Sequence, residues 1–535
     1  MPSWIGSPTR GGCCCWCGKG FGRYPRLNDA VGDDITFDGS QTELYKDSGA
    51  YGMYPLRLSL GKGGAMKTKL VSGFLVLVGV LHWAEEAFPS DPAEIPARDA
   101  GRTVEQKARA GWALDDCIDG RCDRECPVYG IGETMTFTFR LRGFEGMDKT
   151  TFFFDWTRTA DDGKKESGRA TAAEPLVLTT SLDRPGFVRY YIELKDAAGE
   201  VVLRKIPSGE KNVFFDGGAG VDILNIRQGV PEPADFDAFW AKHKANLAKV
   251  AWRGLEKIVK IDSSNPAVDV YTVSVPCAGG MPATGFLYVP TAAKDGRKFP
   301  AQIRFHGYGA SWNATHPRAD RMKGDMLVLD CTAHGFELMR ESDYYRALRK
   351  KVSVNGFGYA FDPKTNADPE TAYFCGMAYR LMRALEFLKS RPEWDGKNLM
   401  AAGASMGGMQ TVWAAALDPD VTEALADIPW CCDIGGEVVG RNRGTWYVKW
   451  SAPGLGYYDP VNLAKRIPVR TRFGIPRFGL GDYTCPPTGV MAMYNNVPCP
   501  DKRATGFQNS THGYVVPRPR QMIEIRGNAI VPFTR

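Results

Sequence analysis

Two changes of pattern along this chain predict an α/β protein, in which a doubly wound, mostly parallel sheet follows a small antiparallel β-sandwich. From Pro127 to Phe215, short alternating apolar runs recur between Gly, Asp and Pro turns, as strands with one buried face do. From Val221 to Arg535, strand-like and helix-like segments take turns instead, which places helices on both faces of a parallel sheet. At roughly 150 residues per domain, the 535 residues are enough for several domains and at least one large core. Hydrophobic residues at 44% and charged residues at 24% are the proportions of a folded chain rather than a disordered one. The net charge of +6 is small for this length and comes with no basic run, which argues against a nucleic-acid partner.

Taken in order, residues 1–65 are rich in Gly and Arg and carry Cys13, Cys14, Cys15 and Cys17 without the paired spacing of a zinc site. Next come Met66-Lys-Thr-Lys69 and the apolar run of residues 70–81, the basic and hydrophobic regions of a secretory signal over residues 66–87. The run is short for a bilayer span. A signal is read at the amino end, so Met66 is expected to be the true start and residues 1–65 to lie upstream of it. A retained anchor is the alternative, because His82 and Trp83 spoil a small-residue cleavage site. Residues 88–126 read as a linker with a cysteine cluster, Cys117, Cys122 and Cys126. Three sulfurs without a nearby His favour disulfides over a metal, as export to an oxidising compartment would.

The sandwich is expected over residues 127–216, with strands in Met135–Phe139, Thr151–Trp156, Leu176–Leu178 and Val188–Leu194. Its aromatics read as core before they read as sugar contacts. The Gly-rich stretch Asp216–Gly220 then reads as a hinge or linker. In the region 221–535, Ala301–Phe305, Asp325–Asp330 and Leu399–Ala402 are expected strands, and 371–390 and 406–417 expected helices, the first with apolar positions at spacings of three and four.

Between the strand at 399–402 and the helix at 406–417 lies Gly403-Ala-Ser405-Met-Gly407-Gly408. A G-x-S-x-G sequence at a strand-to-helix turn is the nucleophile elbow of α/β-hydrolases, and only small neighbours let the backbone close around the Ser. A Ser hydroxyl needs a base, normally a His oriented by a carboxylate. In this fold the order along the chain is Ser, acid, His, and His512 alone of the six His follows Ser405. The acid lies between them. Asp482 fits best, at the end of an apolar strand approach and in a loop shaped by Gly481, Pro486 and Pro487; Asp459 is the reserve. The backbone N–H groups of Tyr308, after the strand ending at Phe305, and of Met406 are the expected oxyanion donors. His306 reads equally as a substrate contact or a buried structural residue.

These motifs together resemble the acetyl xylan esterase and cephalosporin-C deacetylase family of serine esterases over about residues 231–514. The resemblance rests on Pro233–Trp240, His306-Gly-Tyr308, Gly403–Gly408, Gly481-Asp-Tyr-Thr-Cys-Pro-Pro487 with Tyr494-Asn495, and His512-Gly513. It implies Ser405, Asp482 and His512 as the triad, Tyr308 and Met406 as the oxyanion hole, and no metal or cofactor. It also implies an acetylated polysaccharide or oligosaccharide as substrate, and a homo-oligomer. Thr332-Ala-His-Gly335 stands where the family carries Arg-Gly-Gln-Gly, and Gly513 where it carries Glu. The resulting expectation is a secreted or periplasmic deacetylase with no membrane attachment once its signal is removed. An inactive carbohydrate-binding protein, a glucuronoyl esterase and a peptidase remain as rivals.

Overall fold

The structure, a computed structural model, describes residues 117–144, 146–206, 209–311, 313–444, 447–513 and 521–532. The upstream stretch 1–65 and the expected signal 66–87 lie outside the described residues, as does most of the expected linker. Among the described residues no helix is long and apolar enough to cross a membrane.

The amino-terminal strands form two sheets. In the first, β1 (Ile118–Cys122) and the strands β3 and β6 lie in the order β1-β3-β6; in the second the order is β2-β10-β7-β4-β5. Here β2 is Val128–Tyr129, β3 Met135–Leu141, β4 Phe153–Ala160, β5 Lys165–Thr171, β6 Leu176–Thr180 and β7 Gly186–Lys195. A separate hairpin, β8 (Leu203–Ile206) and β9 (Gly209–Asn212), precedes β10 (Phe214–Val221). Period-two alternation turns Met135, Phe137 and Phe139 of β3 to one face, where all three are fully buried. That face meets the second sheet, with Phe137 4.8 Å from Tyr190 and Phe139 5.2 Å from Phe215 between ring centres.

Two expectations are corrected here. The stretch Asp216–Gly220 is no hinge: it is the interior of β10, hydrogen-bonded along its length to β7 and buried throughout. Its glycines answer to space rather than to flexibility, because a Cβ on Gly218 would overlap the Val188 carbonyl and one on Gly217 the side chain of Gln508. Nor do Cys122 and Cys126 join in a disulfide: both are free thiols, and Cys122 ends a strand that pairs with β3. Cys122, Cys126, Cys277, Cys331, Cys375, Cys431, Cys432, Cys485 and Cys499 are all free thiols. Several are occupied locally, Cys122 Sγ with the Arg124 carbonyl, Cys331 Sγ with that of Thr332 and Cys499 Sγ with that of Pro468.

Helix α1 (Phe236–Ala248) then leads into an eleven-stranded sheet whose order is β11-β12-β13-β15-β14-β16-β17-β18-β19-β20-β21. Its strands are β11 Lys257–Ile261, β12 Val268–Val275, β13 Ala283–Pro290, β14 Phe299–Phe305, β15 Leu327–Cys331, β16 Trp394–Ala404, β17 Glu423–Asp427, β18 Arg472–Gly479, β19 Lys502–Phe507, β20 Met522–Arg526 and β21 Ala529–Val531. The central run from β15 to β19 is parallel, and the pairs at both margins are antiparallel. Right-handed parallel connections need crossovers, and helices α2 (Ser342–Val352) and α3 (Tyr373–Lys389), α4 (Met406–Leu417) and α5 (Pro487–Asn496) supply them after β15, β16 and β18. α4 is buried at every position but Ala416, as a helix lying against the middle of a sheet must be. Phe187 of β7 packs into this larger core beside Ile223 and Ile226, so the smaller sheets and the large one share buried surface.

If β10 is a packed strand, Gly218→Ala should destabilise the protein by about 1–3 kcal/mol through overpacking. Thermal unfolding of the purified variant would show a lowered midpoint. An unchanged midpoint would restore the hinge.

Candidate active site

The end of β16 feeds directly into α4 through Ser405, whose φ of 59° and ψ of −119° no side chain prefers. Such a conformation costs on the order of 1–3 kcal/mol and persists only where its surroundings over-determine it. They do so here. Ser405 N donates to the Asp427 carbonyl, and the Ser405 carbonyl accepts from Met409 N and Trp430 N, each at 3.0 Å. α4 also lies unusually near the strands. A Cβ on Gly403 would stand 2.7 Å from the carbonyls of Phe305 and Gly407, one on Gly408 2.6 Å from that of Asp427, and one on Gly407 would overlap Phe305. The G-x-S-x-G-G spacing is therefore a packing requirement, and it presents the helix N-terminus, with its N–H groups unsatisfied within the helix, beside Ser405.

Asp482 and His512 come together from two neighbouring loops. His512 Nδ1 stands 3.0 Å from Asp482 Oδ2. The other carboxylate oxygen, Oδ1, accepts from the backbone N–H of Thr484 at 3.0 Å and of Cys485 at 2.9 Å. Asp482 is wholly buried, while the His512 ring is about a third exposed, with 31% of its side-chain surface accessible. Burial alone would lower the imidazole pKa, but the Asp482 charge and hydrogen bond outweigh it and hold His512 above its ordinary value. Ser405 is close by, beside the buried thiol of Cys485. Among the described residues no hydrogen bond links it to His512.

The reserve acid is placed elsewhere. Asp459 spends Oδ1 on the N–H groups of Asp433 and Val461 and Oδ2 on that of Ile434, capping the short helix Pro460–Leu463. Burial, reinforced by Asp433, pushes its pKa up to about 7.

The segment His306–Gly309 runs past the elbow and is pinned from several sides. Ala333 N donates to His306 Nε2 at 2.9 Å, which leaves Nδ1–H to donate to the Gly307 carbonyl at 2.7 Å. Burial pushes this imidazole down to about 4, so it is neutral and structural, and the substrate-contact alternative falls away. Tyr308 stacks on Tyr359 at 4.0 Å and donates to its carbonyl at 2.9 Å. The Tyr359 hydroxyl accepts from Gly309 N at 2.7 Å. His334 Nε2 faces the Gly309 carbonyl at 2.9 Å, and its Nδ1 faces the Tyr373 hydroxyl at 2.7 Å. His334 was discounted in sequence because it precedes Ser405. Its place in Thr332–Gly335, where the chain departs from the family pattern, was the available signal.

Sequence reasoning also missed two ion pairs built on buried carboxylates. Arg477 forms a fork on Asp427, at 3.1 Å from Nε and 2.7 Å from Nη2, and Arg189 forms another on Asp216, at 2.7 and 2.6 Å. Neither carboxylate lies in a recognisable motif.

Among the described residues, two groups bring potential ligand atoms within 4.8 Å of one another, His243 with Glu370 and Cys375, and Asp482 with Cys485 and His512. In the first, His243 Nδ1 faces Tyr379 Oη at 2.6 Å and Nε2 faces Glu370 at 3.3 Å. In the second, both Asp482 oxygens are already used as described.

The description Acetyl xylan esterase (AXE1) matches residues 222–439 and 452–523, a little over half of the 535 residues. The chain belongs to the acetyl xylan esterase family. The acetyl esterase Axe7A of Xylanibacter ruminicola is 27% identical over 281 residues, which cover 50% of this chain and 61% of that protein. This family member thus spans under two thirds of that relative's length. Among solved structures, an acetyl xylan esterase from Paenibacillus sp. R4 aligns with a TM-score of 0.45 at 22% identity, covering 55% of this chain and 94% of its own. Acetyl xylan esterase 1 from Thermoanaerobacterium sp. JW/SL YS485 gives 0.44 at 20% identity, covering 54% and 92%.

The carboxylate beside His512 makes its titration measurable apart from any activity. In an NMR pH titration His512 should titrate above about 6.5, and in Asp482→Asn, where burial acts without the opposing charge, below it. Asp459→Asn should leave the His512 curve in place. The raised value also stabilises the folded state, fully below the unfolded pKa and progressively less as pH rises through the folded one.

Proposed function

We propose that this family member is a secreted serine esterase that removes acetyl groups from acetylated xylan or acetylated sugars, with Ser405 as nucleophile, His512 as base and Asp482 as its orienting acid. The His512–Asp482 hydrogen bond beside a strained Ser405 elbow carries the reading. With Nδ1–H held by Asp482, the lone pair of His512 is on Nε2, the tautomer a general base needs. In the reaction the Ser405 hydroxyl gives its proton to that nitrogen; catalytic hydrogen bonds commonly tighten only with substrate bound.

Ser405 Oγ attacks the acetyl carbonyl as its proton passes to His512 Nε2. The carbonyl oxygen becomes an oxyanion received by the N–H groups of Met406 and Tyr308. When the C–O bond to the sugar breaks, the proton on His512 goes to the departing hydroxyl, leaving acetyl-Ser405. Water then repeats the sequence, giving up a proton to His512, and acetate leaves with Ser405 restored. No metal or cofactor enters.

The rings of Tyr308, Phe361 and Trp430 pack with centres 5.5–5.8 Å apart, and Trp430 N donates to the Ser405 carbonyl; we read this aromatic group near the elbow as favouring a small acyl group. We read the paired amino-terminal sheets as the small sandwich, and residues 66–87 as the signal that directs export from a start at Met66. A native amino terminus near residue 85 would support that start, and recovery of residues 1–65 in the mature protein would refute it.

A substrate panel tests the reaction. Acetate should be released from acetylated xylan and p-nitrophenyl acetate much faster than the acid of a longer acyl ester, with no cleavage of peptides or glucuronoyl esters. Ser405→Ala should fold and lose turnover down to the residual roughly 10³–10⁴-fold over water that oxyanion donors and binding sustain. The rate should rise with pH through an apparent pKa above that of a free His, because the neutral imidazole is the active form. Near-normal turnover in Ser405→Ala would end the serine mechanism.

A further inference from the structure

The two small amino-terminal sheets meet the rest of the chain at several places, and two of these are the loops that carry Asp482 and His512. The backbone of Gly481 lies so close over β10 that a Cβ there would overlap the Asp216 carbonyl. Arg189, on β7, forks onto the Asp216 carboxylate and places its guanidinium 4.2 Å from the ring centre of Tyr483, the residue after Asp482. Both partners of this pair are buried.

The His512 side is held from the same strand. Gln508 accepts from Gly218 N and donates to the Gly218 carbonyl, both at 2.8 Å, so that its amide pairs with β10 as a neighbouring strand would. Asn509 Oδ1 accepts from Asp216 N at 3.2 Å. Gln521, just beyond the loop, grips β1 in the same way. Its Oε1 accepts from Cys122 N at 3.1 Å, and its Nε2 donates to the Cys122 carbonyl at 2.8 Å. A third strut joins the turn after β4 to α5, where Asp161 accepts from the Thr488 hydroxyl.

We propose that these sheets are a brace for the reaction centre: Arg189 and Asp216, with Gln508 and Asn509, are positioning residues that hold the Asp482 and His512 loops in register and balance the charge beneath Asp482. This rests on the reading of Asp482 and His512 as acid and base. Among the described residues, the charged groups around the imidazole are few enough to name. Asp482 faces it directly, Asp427 with Arg477 flanks it from β17 and β18, and Asp216 with Arg189 lies behind Asp482. The Cys485 thiol sits beside Ser405. An intact Arg189–Asp216 pair adds no net charge to this set. Either half alone does.

That asymmetry separates a brace from a merely stabilising contact. In Asp216→Asn the buried guanidinium is left without its carboxylate and competes with the imidazolium for Asp482. The apparent pKa of His512 in kcat/KM, and in NMR titration, should therefore fall, and kcat with p-nitrophenyl acetate should drop about 10- to 100-fold as geometry loosens. The double variant Arg189→Gln/Asp216→Asn removes both charges and should return the pKa to the wild-type value. Gln508→Ala removes a clamp without unbalancing charge; it should lower kcat with KM unchanged and leave the pKa in place, and it serves if Asp216→Asn does not fold. The same His512 titration in wild type and folded Asp216→Asn, or full kcat in Gln508→Ala, would overturn the brace. An active Ser405→Ala would instead overturn the catalytic assignment, while the NMR titration would still read the charge balance.

Discussion

The distance of closest approach between α4 and the centre of the large sheet governs the rest of this structure. The helix sits where no Cβ fits at three of its neighbouring positions, so the chain must leave β16 through a turn that only a strained residue can make. Everything chemically useful follows from that turn: a side chain raised above the carboxyl ends of the parallel strands, a helix N-terminus beside it, and a pinned segment after β14 on the other side. Ligands of open α/β sheets collect at this edge because the strands end there and the loops do not.

Around this edge the protein buries three carboxylates close together, Asp482, Asp427 and Asp216. Unpaired, such a group would be strongly destabilising, since each charge loses its hydration. Two are matched by arginine forks and the third by backbone N–H groups and an imidazole. Fork geometry fixes direction as well as charge, so each pair ties two neighbouring strands of its own sheet, β7 to β10 in the smaller one and β17 to β18 in the larger. Neutral His306 and His334 do comparable work on the opposite wall through hydrogen bonds alone.

What was legible in the sequence was local. Gly403–Gly408 records a close approach within one turn of chain, and the helices expected at 371–390 and 406–417 lie within two residues of those observed, because apolar periodicity is set by neighbours three or four positions away; the strand expected at 399–402 is the end of a longer one, Trp394–Ala404. His512 was singled out because a fixed order along the chain left one imidazole, and Asp482 because an apolar strand leads to a loop shaped by Gly481, Pro486 and Pro487; the structure brings the two side chains within 3.0 Å. The failures were non-local. Glycines in β10 read as a hinge because the groups that exclude their side chains, the Val188 carbonyl and the Gln508 amide, are remote in sequence, the latter by 290 residues. Arg189, Asp216, Arg477 and His334 carry no motif, and each takes its meaning from a partner that only folding supplies. Cysteine pairing failed for the same reason: counting sulfurs reveals nothing of how far apart they come to rest.

Those thiols bear on how such a protein is lost. Buried in apolar surroundings, most hold their protons far more tightly than a free cysteine; Cys277 is pushed up to about 11 and Cys331 to about 12. In the native state they are nearly inert, because the thiolate is the reactive form. A chain that opens, even briefly, releases many sulfurs at once with ordinary reactivity, and in an oxidising medium they cross-link in arrangements that cannot refold. Survival there depends on how seldom the fold opens, a matter of barrier height rather than of the balance between folded and unfolded populations.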